Sequence, residues 1–166
     1  MKKLLFVFVL LFLINGCGTP NFRSPSVDPY VAKFEKETCI KTDGVNYVLS
    51  DVIPDDSGGS SIAYCLRGTK TIIFVKMSYW NNAPDVKKEA MVMHELGHCS
   101  LGILNDNDEI NEETGEPVSV MHNYIVNFVN VDNWNDLKLI YYKSLINLAK
   151  HQNKLINDCI PITEQP

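Results

Sequence analysis

Pro84-Asp85-Val86-Lys87-Lys88-Glu89-Ala90-Met91-Val92-Met93-His94-Glu95-Leu96-Gly97-His98-Cys99-Ser100-Leu101-Gly102 is the stretch around which the rest of the chain has to be arranged. Asn81 and Asn82 before it are polar cap candidates, Pro84 is tolerated in a first helical turn, and Asp85 sits near the positive end of the dipole. Gly102 supplies a left-handed stop, so the reading is a helix over residues 84–101. Its polar opening gives way to Ala90-Met91-Val92-Met93, which carries the next turns into a buried part of the helix. His94 and His98 are separated by about 400° of helical rotation, so they project from one face, one turn apart, and can grip one metal ion. Glu95 lies beside them, suited to act on water rather than on the metal. Cys99 is about 100° further round and is a poor ligand for the same site.

Working outward, residues 45–53 and 61–67 are rich in β-branched and aromatic side chains and are separated by Pro54-Asp55-Asp56-Ser57-Gly58-Gly59, so they read as strands. Residues 71–76 form a third, clearer strand. Towards the C-terminus, Leu137, Ile140, Tyr141, Leu145 and Leu148 make an amphipathic, core-packing face on a helix that starts after the cap candidates Asp132 and Asn133. Trp134 and Tyr142 are read either as buried for area or as lining a cleft. The expected fold class is α+β: a short mixed β-sheet with the histidine-bearing helix and a C-terminal helix.

The chain opens with Lys2 and Lys3 before an apolar run, Leu4 to Ile14, too short to cross a bilayer as a mature helix and laid out as a secretory signal. Ile14-Asn15-Gly16-Cys17 resembles the lipobox of bacterial lipoproteins, with Asn15 the less usual residue. The expected organisation is a signal peptide over 1–16, a lipidated N-terminus and flexible tether over 17–29 marked by Pro20, Pro25 and Pro29, and one folded domain over 30–166. Acyl chains on Cys17 would hold that domain at a membrane. Cys17 is followed by Gly18 rather than the aspartate associated with inner-membrane retention, which favours the outer membrane or the periplasmic face of an exported, monomeric lipoprotein. Asp and Glu number 20 against 15 Lys and Arg, leaving no basic stripe for nucleic acid. Cys39, Cys65, Cys99 and Cys159 remain for up to two disulfides in an oxidising compartment, and a bridge from Cys99 to Cys159 is the favoured pairing.

Met93-His94-Glu95-Leu96-Gly97-His98-Cys99, preceded by Met77-Ser78-Tyr79-Trp80, resembles a group of bacterial metzincin-like zinc peptidases. Ser119-Val120-Met121-His122 is similar to their Met-turn, in which the methionine, here Met121, lies beneath the histidines as an apolar floor. The resemblance spans residues 71–124 and implies a small metzincin-like zincin domain with one catalytic zinc ion and a peptide or protein substrate. It implies His94 and His98 as ligands, Glu95 as general base, and Tyr124 as oxyanion support.

The departure is at the third ligand. Metzincins continue HExxHxxGxxH, whereas here Gly102 arrives one residue late and Ile103-Leu104-Asn105-Asp106 contains no histidine. Asp106 is the expected third ligand because a carboxylate binds zinc better than a neutral amide does. Asn105, Asp108 and His122 remain rivals. Residues 105–116 carry Asp106, Asp108, Glu109, Glu112, Glu113 and Glu116 with no basic residue. They read as a solvated loop, with a rim favouring cationic peptides or a weak calcium site as sharper alternatives. Ile110 at the fifth position from Asp106 breaks the EF-hand spacing. Two other functional classes stay open: a catalytically impaired zincin-like lipoprotein with a binding or structural role, and an interaction protein carrying HExxH by chance on a core helix.

Overall fold

The computed structural model describes residues 24–54, 61–156 and 159–164. The expected signal peptide over 1–16 and the lipidation site Cys17 lie outside them, as does most of the turn over 54–59.

The three strands, β1 (Val45–Ser50), β2 (Ala63–Leu66) and β3 (Thr71–Lys76), fall within the segments expected to be strands. They form a mixed sheet of order β1-β3-β2, with β1 parallel and β2 antiparallel to the central β3. Alternation puts Val45 and Tyr47 of β1 and Ile73 and Val75 of β3 into the core. Cys65 is paired across from Ile73, so it lies on this same buried face. β3 runs directly into a short helix, α2 (Met77–Asn82), whose Trp80 is buried edge-on against Tyr30 at 5.2 Å.

The long helix α3 (Asp85–Leu101) is buried along most of its length from Glu89 onward. It contacts β2, β3 and three further helices, which makes it the axis of the fold. Each of its fully buried large side chains, among them Met91, Met93 and Leu96, contributes about 1.5–3 kcal/mol of apolar transfer energy. Gly102 ends it at φ 72°, the left-handed stop read from the sequence.

Around α3 sit α1 (Asp28–Thr38), a short α4 (Ile125–Phe128) and α5 (Trp134–His151). The packed chain begins earlier than the proline-rich composition of the expected tether suggests. Val27 is 1 % exposed, the Ser24 amide donates to the Tyr47 carbonyl at 3.0 Å, and Pro29 opens α1 rather than extending a linker. A proline in the first helical turn forfeits no hydrogen bond, which is why composition misleads here.

The buried face of α5 also differs from the expected stripe. Leu137, Tyr141 and Leu145 are inside, but Ile140 is 59 % exposed, while Trp134, Lys138 and Tyr142 are buried. The reason is ionic. The Lys138 ammonium lies 3.1 Å from Glu37 of α1 and 3.5 Å from Glu89 of α3, and Lys33 pairs with Glu89 at 2.9 Å. The Tyr142 hydroxyl donates to Glu37 at 3.1 Å. Two lysines and two glutamates cancel, so the helices share a neutral polar cluster that an apolar periodicity count cannot see.

Disulfides join Cys39 to Cys159 and Cys65 to Cys99, so the expected Cys99 to Cys159 bridge is wrong. The C-terminal tail pairs with the segment leaving α1, through the Ile40 to Leu155 bridge and the Ile156 amide donating to the Cys39 carbonyl at 2.7 Å. That brings Cys159 to Cys39. Cys99 faces the sheet instead, where Cys65 meets it. Peptide mapping without reduction is expected to recover these two pairs, and Cys39→Ser with Cys159→Ser to lower unfolding free energy by about 4 kcal/mol, because that bridge closes a loop of 120 residues. A Cys99–Cys159 peptide would overturn the pairing.

Candidate metal and catalytic site

His94 Nδ1 lies 2.9 Å from the Val120 carbonyl, and His98 Nδ1 lies 2.8 Å from the Ile103 carbonyl. A carbonyl can only accept, so each Nδ1 carries a proton and each Nε2 is left with a lone pair unless its ring is cationic. The two Nε2 atoms are 3.1 Å apart. Two lone pairs at that distance repel, so a positive charge has to reconcile them: a proton on one ring, or a metal ion between them. Asp106 Oδ1 completes the group, 3.1 Å from His98 Nε2 and 3.5 Å from His94 Nε2. Among the described residues this is the single group of three His, Cys, Asp or Glu side chains drawn together, with ligand atoms within 4.8 Å of one another. The acidic loop forms no comparable cluster for calcium.

Two loops make this geometry. After Gly102 the chain reverses, presents the Ile103 carbonyl to His98, and returns Asp106 to the histidines. The second loop carries Ser119-Val120-Met121-His122. The Ser119 hydroxyl accepts from the Met121 amide at 3.0 Å, and the Ser119 carbonyl accepts from the His122 amide at 3.2 Å, which turns the Val120 carbonyl onto His94. The Asn107 amide then donates to the Met121 carbonyl at 2.7 Å, so the loop carrying Asp106 is tied to the loop beneath the histidines. Met121 is 3 % exposed and packs on Gly97, where a Cβ would overlap its Sδ. Glycine between the two histidines is therefore a requirement of that floor.

The other residues named for the third position are placed differently from Asp106. His122 is buried, but its Nδ1 accepts from the Tyr124 amide at 3.0 Å and its ring packs edge-on to Phe128 at 5.0 Å. Asn105 reaches the cavity wall without a metal-binding charge, and Asp108 does not line the cavity. The cavity, about 860 Å³, is bounded by β2, α3, the turn after Gly102 and the segment around Tyr124. Tyr124, 59 % exposed, stands at its rim. Trp134 and Tyr142 do not line it. Of the acidic residues in 105–116, Asp106 alone does.

Electrostatics divide the group. Burial is the main cause holding His94 below its ordinary value, which keeps that ring neutral. Burial also pushes His98 down, but the Asp106 contact, the Ile103 carbonyl and the nearby acids outweigh it, and the net direction is upward. Asp106 is lowered in return, first by the His98 hydrogen bond. Burial pushes Glu95 up to about 7. Its Oε2 is buried without a hydrogen-bond partner among the described residues.

Sequence reasoning overlooked Arg67. It directly follows the last residue of β2, one alternation beyond Cys65, and it lines the same cavity. The signal was the Cys65 to Cys99 bridge, which fixes that parity once the pairing is known. No protein-family model, curated protein or solved structure matches the chain.

The methionine floor can be probed by a double-mutant cycle. Gly97→Ala gains at most about 1 kcal/mol of helix propensity, and overpacking costs about 1–3 kcal/mol, so the overlap wins and the variant is destabilised. Met121→Ala, which empties a buried site, should cost about 2–5 kcal/mol. The double variant, measured by denaturant unfolding, should lose less than the sum of the two, because the new Cβ enters vacated space. Strict additivity would show that the two residues do not share that contact.

Proposed function

We propose that the chain is a zinc-dependent endopeptidase in which His94, His98 and Asp106 hold one zinc ion and Glu95 is the general base. The observation that carries this reading is the pair of Nε2 lone pairs facing each other at 3.1 Å beside a carboxylate, with both Nδ1 positions already committed to backbone carbonyls. Two imidazole nitrogens and one carboxylate oxygen are a donor set suited to zinc, and three protein ligands are what catalytic zinc sites use. The orphan Oε2 of Glu95 gives further support, since it sits in the cavity wall with no protein group to satisfy it.

Zinc held there would supply the Lewis acidity that makes water nucleophilic near neutral pH and polarises a peptide carbonyl. The remaining work falls to the chain's own residues. Glu95 takes a proton from the attacking water and delivers it to the departing amine. Tyr124, at the rim of the same cavity, would donate a hydrogen bond to the oxygen that gains charge in the tetrahedral state. Met121 takes no chemical step and holds the histidine-bearing turn of α3 from below.

The reading extends to location. The chain's opening pattern supports export and lipid attachment at Cys17, and two disulfides support an oxidising compartment. A peptide or protein substrate fits a cavity open along an edge strand.

Elemental analysis of the purified protein is expected to give one zinc per chain, with strongly reduced occupancy in His94→Ala, His98→Ala and Asp106→Ala. Glu95→Gln should keep the metal and lose about 10²–10⁴-fold in peptide hydrolysis, the range for removal of a general base. Hydrolysis that survives Glu95→Gln sinks the mechanism. Zinc bound at these residues without Glu95-dependent hydrolysis of varied peptides would instead assign the site a binding or structural role.

A further inference from the structure

The cavity wall holds one permanent cation, Arg67, against two carboxylates, Glu95 and Asp106. Asp106 is engaged by the histidines and Glu95 is buried beside them. None of the ion pairs among the described residues uses Arg67. Its Nη1 lies 3.5 Å from the place a Cβ would take on Gly102, so the guanidinium sits over the C-terminal end of α3. The carbonyls of Ser100 and Leu101 at that end accept from Lys154 and Gln152, so they do not consume the guanidinium's hydrogen-bond donors. The exposed acids of the neighbouring loop could have neutralised it, yet Asp108, Glu109, Glu112, Glu113 and Glu116 all lie outside the cavity wall. Of that loop's acids, Asp106 alone reaches the cavity wall, and there it faces the histidines.

A planar guanidinium with free donors, held at the edge of a cavity, fits a carboxylate bidentately. We propose that Arg67 is the specificity-determining residue of the cleft and selects peptides that present a carboxylate to it. This rests on the peptidase reading for the identity of the ligand as a peptide. The carboxylate is either the peptide's own C-terminus or an Asp or Glu side chain, and the two sources are separable.

The test uses the zinc-loaded protein and one peptide sequence in matched forms: C-terminal acid against amide, and an internal Asp against Asn at successive positions. Affinity is read by fluorescence anisotropy in the Glu95→Gln background, and kcat and KM are read with Glu95 intact. We expect a preference of about fivefold to tenfold for one carboxylate form, carried by KM, as suits an exposed charge pair. Arg67→Gln should abolish the preference, Arg67→Lys should retain part of it, and Arg67→Glu should reverse it towards a basic residue at the same position. A preference that follows the C-terminal acid identifies cleavage near a free chain end, and one that follows the Asp identifies an acidic subsite. Either result supports the assignment. Equal binding of all forms by the unsubstituted cleft, or a preference that Arg67→Gln leaves intact, overturns it. Arg67-dependent binding without any hydrolysis would overturn the peptidase reading while supporting the assignment of Arg67.

Discussion

Two hydrogen bonds from imidazole Nδ1 to backbone carbonyls organise this molecule. A helix that carries His94 inside the fold and His98 to a half-buried cavity wall must satisfy an N–H on each ring, and leaving a buried one unpaired costs about 1–3 kcal/mol. The partners come from different places: Ile103, just past the helix end, and Val120, in a turn 26 residues beyond His94. Each bond adds to the packing and backbone contacts that place its loop, among them the Ile103 amide on the Gly97 carbonyl and Met121 against Gly97. The Asn107 to Met121 bond then connects those loops, and Asp106 is carried in next to the histidines. The hydrogen bonds that aim the two Nε2 atoms are thus the same ones that close the domain over α3.

The outer supports act on the same helix. The Cys65 to Cys99 bridge fixes β2 to α3 at the residue after His98, so the edge strand that walls the cavity cannot drift from the histidines. At the opposite end of α3, Glu89 is held between Lys33 of α1 and Lys138 of α5. Removing either lysine would leave a buried carboxylate short of a counter-charge, which costs more than the intact pair contributes. One end of the helix is therefore fixed covalently and the other ionically, with the histidines between.

How much of this was readable follows from where each constraint is written. The helix limits were local, in Pro84, Asp85 and Gly102, and so were the histidine spacing and the β-branched run of β3. The expectation of Asp106 over Asn105 came from ligand chemistry, and the Asp106 carboxylate lies 3.1 Å from His98 Nε2. Other features depend on partners distant in sequence. Ile140 satisfies the apolar period of α5, yet it points outward because Lys138 and Tyr142 meet acids on other helices. Cys99 could not be paired until strand register placed Cys65 on the helix-facing side. The carbonyls of Ile103 and Val120 carry no side-chain signal at all, although they decide which nitrogen of each histidine is free.

Asp106 and Arg67 belong to one electrostatic problem. A divalent ion on three imidazoles would leave two positive charges at the site, whereas two imidazoles and the Asp106 carboxylate leave one. Glu95, when ionised, removes another. On the proposed reading, a cavity with that balance would attract an anionic group weakly, because the ion's field would be offset by Asp106 and by Glu95 beside it. Arg67 adds one positive charge at the cavity edge, beside the end of α3 at Gly102. The carboxylate that departs from the three-histidine pattern thus makes a separate cation necessary if the cleft is to hold an acidic ligand. On the proposed reading, Arg67 would separate the two tasks in space: charge that activates water would stay among the histidines, and charge that recognises substrate would stand at the solvent edge, where releasing product costs little desolvation.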